Sequence, residues 1–158
     1  MSKITIPREI SPLLAEEIGL HIGDGSMNIY KNKYRIKGKY SLRGHKEDDK
    51  DHYDKRVKEI YKKVFNIDIS LHLNEKTGVY GFQIWSDELI EYKNKILDIP
   101  LGKKKEIKIP EIILLKREHQ IAVLRGIFDT DGCLYLEPKR EKLYPRVKFA
   151  TTSKRLGT

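Results

Sequence analysis

The chain has 158 residues, 39% of them hydrophobic and 35% charged, with a formal net charge of +9 and a pI near 9.5. That length supports one domain, or two intimately packed halves, with a real core, and apolar content of this level with regular periodicity excludes a disordered chain. A single cysteine, Cys133, excludes an intrachain disulfide and a CxxC metal site, while no signal peptide is read and no apolar run approaches membrane-spanning length. A cytoplasmic protein with a polyanionic partner is therefore expected, because a basic surface gains affinity by releasing counterions from phosphates.

Residues 1–10 read as a short, partly extended lead-in, and Ser11-Pro12 opens a helix, serine as N-cap and proline in the first turn. Leu14, Ala15, Ile18, Gly19 and Ile22 recur at helical spacing until Gly23-Asp24-Gly25 stops the pattern. Residues 26–30 and 34–43 form a predicted hairpin around Lys31-Asn32-Lys33. Its second strand alternates, with Arg35, Lys37, Lys39, Ser41 and Arg43 on one face and Tyr34, Ile36, Gly38, Tyr40 and Leu42 on the other. An acidic cluster, Glu47, Asp48, Asp49 and Asp51, suits the start of a second helix, whose buried stripe is Tyr53, Val57, Ile60, Tyr61, Val64 and Phe65. A second hairpin follows, with Ile69, Leu71 and Leu73 inward, a turn over residues 74–78 and an aromatic strand over 79–85. Ser86 caps a third helix carrying Leu89, Ile90, Lys93, Ile96 and Leu97.

Residues 99–110, with Pro100, Gly102 and three consecutive lysines, read as a linker rather than a core element. After it come a short helix over 111–116, a longer one over 118–130, and a third hairpin from strands 133–136 and 144–151. Ser153 is placed to cap a further helix. The order helix, hairpin, helix, hairpin, helix thus restarts and is cut short, since only 27 residues follow Asp131. The expected organisation is a first repeat over residues 1–98, a linker over 99–116 and an incomplete second repeat over 117–158.

The restart is in register. Ala15 matches Ala122, Gly19 matches Gly126, Gly23 matches Thr130 and Asp24 matches Asp131, all at one offset of 107 residues. Residues four apart share a helix face, so each motif helix presents a smooth stripe that permits close backbone packing. Parallel packing would bring Asp24 and Asp131 together at the negative ends of two helix dipoles, an unfavourable placement that a divalent cation relieves. The carbonyls of Gly23 and Thr130, in the last helical turns, are further hard oxygen donors suited to Mg2+, and such a centre suits phosphodiester hydrolysis. A single Asp-Gly would be only a turn, and duplication for packing alone is the plainer alternative. Asp129, off the motif face, reads as a surface or capping residue.

Two stretches, residues 18–25 (Ile-Gly-Leu-His-Ile-Gly-Asp-Gly) and 124–132 (Leu-Arg-Gly-Ile-Phe-Asp-Thr-Asp-Gly), resemble the motif of the LAGLIDADG homing endonucleases, specifically the two-motif, single-chain kind. The resemblance implies an α+β fold of pseudo-symmetric αββαββα repeats, with antiparallel saddle-shaped sheets over double-stranded DNA and the motif helices packed at the interface. It implies that Asp24 and Asp131 bind the metal and direct a double-strand break, and that the chain acts as a pseudo-dimeric monomer in intron or intein mobility. Members often place a lysine or glutamine near the end of the second strand, where it polarises the nucleophilic water. Lys46 is the nearest match, with His45 beside it, and the second half departs by offering Thr152, with Lys154 two residues on. Met1 and the short lead-in fit a free-standing protein.

The basic residues fit that reading. Lys31, Lys33, Arg35, Lys37, Lys39, Arg43 and Lys46 follow one another without an acidic residue, and one cationic face on a two-stranded ribbon fits a DNA groove and its phosphates. Arg146 and Lys148 are the counterparts in the second half, and Ser70, His72, Lys76 and Gln83 are weaker candidates. The competing expectation is a non-catalytic relative, an RNA maturase or a nucleic-acid-binding regulator, which keeps the basic surface without the chemistry. An incomplete second half would also expose its core and favour self-association.

Overall fold

Ser11 and Pro12 open a helix as expected. In the computed structural model, which describes residues 4–156, α1 spans Pro12–Asp24 and the Ser11 hydroxyl accepts the Leu14 N–H at 3.2 Å. The first three residues of the lead-in and the last two of the second repeat lie outside the described residues. The chain passes directly from α1 into β1 (Gly25–Lys31) and returns antiparallel as β2 (Ile36–His45). Helix α2 covers residues 50–65, with α-helical turns at Lys50–His52 and Lys58–Phe65 joined by a π-helical stretch at Tyr53–Val57. Asn66, at a φ of 54°, ends it in the left-handed conformation that asparagine tolerates.

Strands β3 (His72–Asn74) and β4 (Val79–Trp85) precede α3, residues 87–96, which is capped by Ser86 and π-helical over Tyr92–Ile96. A 3-10 turn at Lys104–Glu106 and the short α4 (Glu111–Leu114) lead to the second motif helix, α5 (Arg117–Asp131). Strands β5 (Gly132–Lys139) and β6 (Lys142–Phe149) follow, each longer than expected at the turn end. Ser153 caps only a turn, donating to the Ile107 carbonyl at 2.5 Å and accepting from the Arg155 N–H at 3.2 Å. No helix among the described residues is long and apolar enough to cross a membrane.

The two first-half hairpins join into one antiparallel sheet in the order β1-β2-β4-β3, and β5-β6 stands as a separate ribbon. Met27, Tyr40, Leu42, Phe82 and Ile84 point from the sheet into one core with Ile18, Val57, Tyr61 and Leu89. Inside that core a buried ion pair ties α3 to α1: the Lys93 ammonium lies 2.6 Å from the Glu17 carboxylate, which also accepts from the Tyr61 hydroxyl at 2.6 Å. Both partners are fully buried, and the added hydroxyl satisfies a carboxylate that would otherwise be costly to bury.

Three expectations are corrected by burial. The stretch read as a linker anchors the core, because Ile99 and Ile107 are buried and the Gly102 N–H donates to the Met27 carbonyl at 2.9 Å. Ile96 is exposed because the π-helical register of α3 turns it away from the sheet, and Leu73 is exposed because β3 is a short edge strand ending at a turn.

Helices α1 and α5 pack in parallel, with Gly19 against Gly126 and Gly23 against Thr130. A methyl group on Gly19 would sit 2.2 Å from the Val123 carbonyl oxygen and 2.9 Å from Gly126 Cα, so only glycine permits this approach. The repeat extends into the strands. Gly25 pairs with Leu42 and Met27 with Tyr40, while at the same offset Gly132 pairs with Phe149 and Leu134 with Val147. Their surroundings differ: Met27 and Tyr40 are 1% and 0% exposed beneath α2 and α3, whereas Leu134 and Val147 are 70% and 62% exposed.

Candidate metal centre and nucleic-acid interface

Parallel packing delivers the two motif aspartates to one end of the helix pair. Asp24 is the last residue of α1 and Asp131 the last of α5, each partly buried. The Tyr53 hydroxyl, from the π-helical stretch of α2, donates to Asp24 Oδ2 at 2.9 Å. Burial pushes the Asp24 carboxyl up to about 6; the Tyr53 hydrogen bond opposes that rise, the charges of Asp49 and Asp131 add to it, and Lys104 opposes it. Asp131 is raised as well, chiefly by burial and against the charge of Lys104. Asp49 is itself fixed beside the site, accepting the His45 N–H at 2.5 Å.

The carbonyls at the end of α1 are already engaged. Lys104 Nζ donates to the Ile22 carbonyl at 3.0 Å and to the Gly23 carbonyl. At the end of α5, the Thr130 hydroxyl donates back to the Gly126 and Ile127 carbonyls at 3.1 and 3.0 Å and packs against Gly23. Among the described residues no three His, Cys, Asp or Glu side chains gather around one ion position. The donor set is thus two carboxylates and helix-end carbonyls, hard oxygens throughout. Carboxyls with raised proton affinity beside a lysine ammonium mark a position that favours a cation, so the residues present fit a divalent metal.

Lys46 begins the loop after β2; its N–H donates to the Gly78 carbonyl at 3.0 Å and its side chain runs beside Gly78. The lysine that reaches the end of α1 is Lys104, in the stretch read as a linker. Sequence reasoning missed it, and the only signal was the run Lys103-Lys104-Lys105, whose three members look alike. Tyr53 was legible as a buried aromatic, but the target of its hydroxyl was not.

The basic residues of the first hairpin spread over the sheet face opposite α2 and α3. Lys37, Lys39 and Arg43 alternate along β2, and the pairing sets Lys39 across from Trp85, Ser41 from Gln83 and Arg43 from Gly81. Lys37 Nζ lies 5.9 Å from the Trp85 ring centroid, and Lys39 Nζ lies 5.5 Å from Trp85 and 5.9 Å from Tyr30. Lys31, Lys33 and Arg35 are exposed at the hairpin tip, and His72 joins the face across from Gly81. On the second ribbon, Arg146 is paired with Glu137 at 2.7 Å and Lys148 Nζ lies 4.7 Å from the Tyr135 ring. Tyr30 and Trp85 are part of this cationic surface, a pairing set by cross-strand register.

The sequence segment 118–157 matches the LAGLIDADG-like domain model. No curated protein matches the chain by sequence. Among solved structures, the chain is similar to I-DmoI in complex with DNA and Mn, at a TM-score of 0.56 and 19% identity over 79% of this chain and 64% of that one. It is similar to I-DmoI in complex with DNA and Ca, at 0.55 and 20% over 77% and 58%, and to mesophilic variants of the homing endonuclease I-DmoI, at 0.55 and 18% over 77% and 62%. The chain therefore spans less than two thirds of the length of these structures. The likeness to these structures identifies the fold: this chain has the LAGLIDADG fold, and its residues 118–157 match the LAGLIDADG-like domain model.

Proposed function

We propose that the protein is a site-specific endonuclease that hydrolyses both strands of double-stranded DNA with a divalent metal, Mg2+ in the cell. The observation that carries this reading is the pair of partly buried aspartates, Asp24 and Asp131, which end two helices packed in parallel through Gly19 and Gly126. Asp24 and Asp131, with the carbonyls of Gly23 and Thr130, would hold the metal. When bound, the ion supplies activation of water and stabilisation of the departing oxygen.

The chain's own residues do the rest. Lys31, Lys33, Arg35, Lys37, Lys39 and Arg43 bind phosphates along the sheet face, with Arg146 and Lys148 as second-half counterparts. Lys46 orients the attacking water at one strand, and the second half, with Thr152 and Ser153 at the positions matching His45 and Lys46, supplies no cation there, so the two strands are cut at unequal rates. Tyr53 holds the Asp24 carboxylate in place. Residues 1–98 and 117–158 act as two repeats of a pseudo-dimeric monomer joined through 99–116.

The test is cleavage of a randomised duplex library with Mg2+ or Mn2+, using wild type, Asp24→Asn and Asp131→Asn. Metal-dependent cleavage at one long site, lost in both variants, is the expected result; no cleavage of any duplex overturns the reading.

A second reading, a non-catalytic nucleic-acid-binding protein such as an RNA maturase or regulator, is favoured by the exposed apolar side chains Leu134, Leu136 and Val147 of β5-β6, which also favour self-association. Tight, salt-sensitive binding indifferent to metal and to both aspartates would select it.

A further inference from the structure

The sheet face that carries Lys37, Lys39 and Arg43 also carries two aromatic rings, which cannot bind phosphate. Tyr30 on β1 and Trp85 on β4 stand on either side of β2, paired across from Lys37 and Lys39 respectively. Backbones two strand spacings apart are separated by about 10 Å. The ring centroids are only 5.8 Å apart, inclined at 59°, so the two side chains converge above the middle strand. Tyr30 is still 50% exposed and Trp85 39%. A cavity of about 410 Å³ opens beside them, lined by Tyr30, Lys31, Asn32, Arg35, Lys37 and Trp85, three cations and no acid. Asn32 Oδ1 accepts the N–H groups of Tyr34 and Arg35 at 3.0 and 2.7 Å, so its amide NH2 is the group left to meet a ligand.

We propose that Tyr30 and Trp85 form a stacking platform for an unpaired base of a DNA strand, whose phosphates are held by Lys31, Arg35 and Lys37. The inference rests on the nucleic-acid reading above and names a ligand of that face other than the duplex. In a duplex the flat faces of the bases are covered by their neighbours, and a protein in a groove meets base edges and phosphates. Two half-exposed rings among cations have little to gain there. A base outside the stack presents its faces, and aromatic side chains in a positively charged groove bind it whatever its identity, because every base has a π-face. The cavity lies within the range of small-molecule sites, about 300–1,000 Å³, and admits a nucleotide. Lys37 Nζ and Lys39 Nζ, at 5.9 and 5.5 Å from the Trp85 centroid, stand near the outer limit of cation–π contact, about 6 Å. An incoming base displaces them from the ring and keeps them as partners of its phosphates.

Trp85 is the only tryptophan of the chain, so its fluorescence reports on the platform directly. The test is titration of wild type, Trp85→Leu and Tyr30→Leu with a deoxyadenosine strand of about twelve nucleotides, an abasic strand of the same length and charge, a riboadenosine strand and a DNA duplex. Wild type is expected to bind the deoxyadenosine strand about tenfold more tightly than the abasic one, with Trp85 quenched by the first and not by the second. Trp85→Leu, followed by the anisotropy of labelled strands, is expected to lose that excess, and Tyr30→Leu, which keeps the reporter, to lose part of it. Equal affinity of wild type for the deoxyadenosine and abasic strands, or an excess that persists in Trp85→Leu, overturns the platform; duplex binding by the same protein then leaves the nucleic-acid face standing. A riboadenosine strand bound about tenfold more tightly than the deoxyadenosine strand overturns the DNA ligand in favour of RNA. No binding of any probe by wild type overturns the nucleic-acid face and this inference with it.

Discussion

Asp24 shows how one residue carries a structural cost in the service of a site. Its carboxyl, raised from 3.8 to about 6 mainly by burial, faces Tyr53, Asp49, Asp131 and Lys104. A carboxyl with a higher proton affinity in the folded chain than in the unfolded one costs nothing below about pH 4, where both forms are protonated. The cost grows as pH rises through 4 to 6 and is complete above that window. Asp24→Asn, which still accepts the Tyr53 hydrogen bond, is therefore expected to be more stable than wild type by about 2 kcal/mol at pH 7 to 8 without metal, after allowance for its exposed edge. Urea unfolding across pH checks this, and the gain should vanish below about pH 4. The contrasting cases are the other two acids of α1: Glu17, buried more deeply, is satisfied by Lys93, Tyr61 and Tyr40, and Glu16 accepts from Arg56 at 2.8 Å, so both hold the fold while Asp24 stands at the helix end.

Among the elements, the parallel pair α1 and α5 decides where both aspartates lie. Gly19 and Gly126 meet backbone to backbone: a methyl on Gly126 would sit 2.2 Å from the Glu16 carbonyl oxygen and 2.9 Å from Gly19 Cα. Backbone cannot move aside as a side chain can, so Gly126→Ala is expected to cost about 3 kcal/mol or to force the helices apart. Denaturant unfolding measures the first, and loss of Mn2+ affinity in a variant that still folds reports the second. This seam was legible in sequence, because small residues at matched spacing have one economical use. The caps at Ser11 and Ser86 and the alternation along β2 were legible too, since each is a local rule. The π-helical stretches were not: Tyr53–Val57 and Tyr92–Ile96 carry no local mark, and they redirect Tyr53 toward Asp24 and Ile96 toward solvent.

For the whole molecule, part of the net charge of +9 lies on the sheet face where Lys37 and Lys39 lie against Trp85, and Lys39 also against Tyr30. If these lysines contact phosphates, Lys37→Ala and Lys39→Ala should each lower the slope of log affinity against log salt by about 1, with little change in sequence preference. Fluorescence anisotropy with a labelled duplex at several salt concentrations reads this, and an unchanged slope would exclude those contacts.

The sequence by itself determined the repeat, the helix and hairpin order, the close-packing seam and the identity of Asp24 and Asp131, because periodicity, capping and small-residue spacing act within one or two turns of chain. Only the tertiary structure decided what surrounds those aspartates. Lys104 meets Gly23 across 81 residues, Tyr53 meets Asp24 across 29, and Trp85 meets Lys39 through strand pairing, all contacts set by how separate elements pack. The stretch over 99–110 reads as a linker because its local composition is polar and turn-rich. Ile99 and Ile107 make it part of the core, and that burial holds Lys104 at the end of α1.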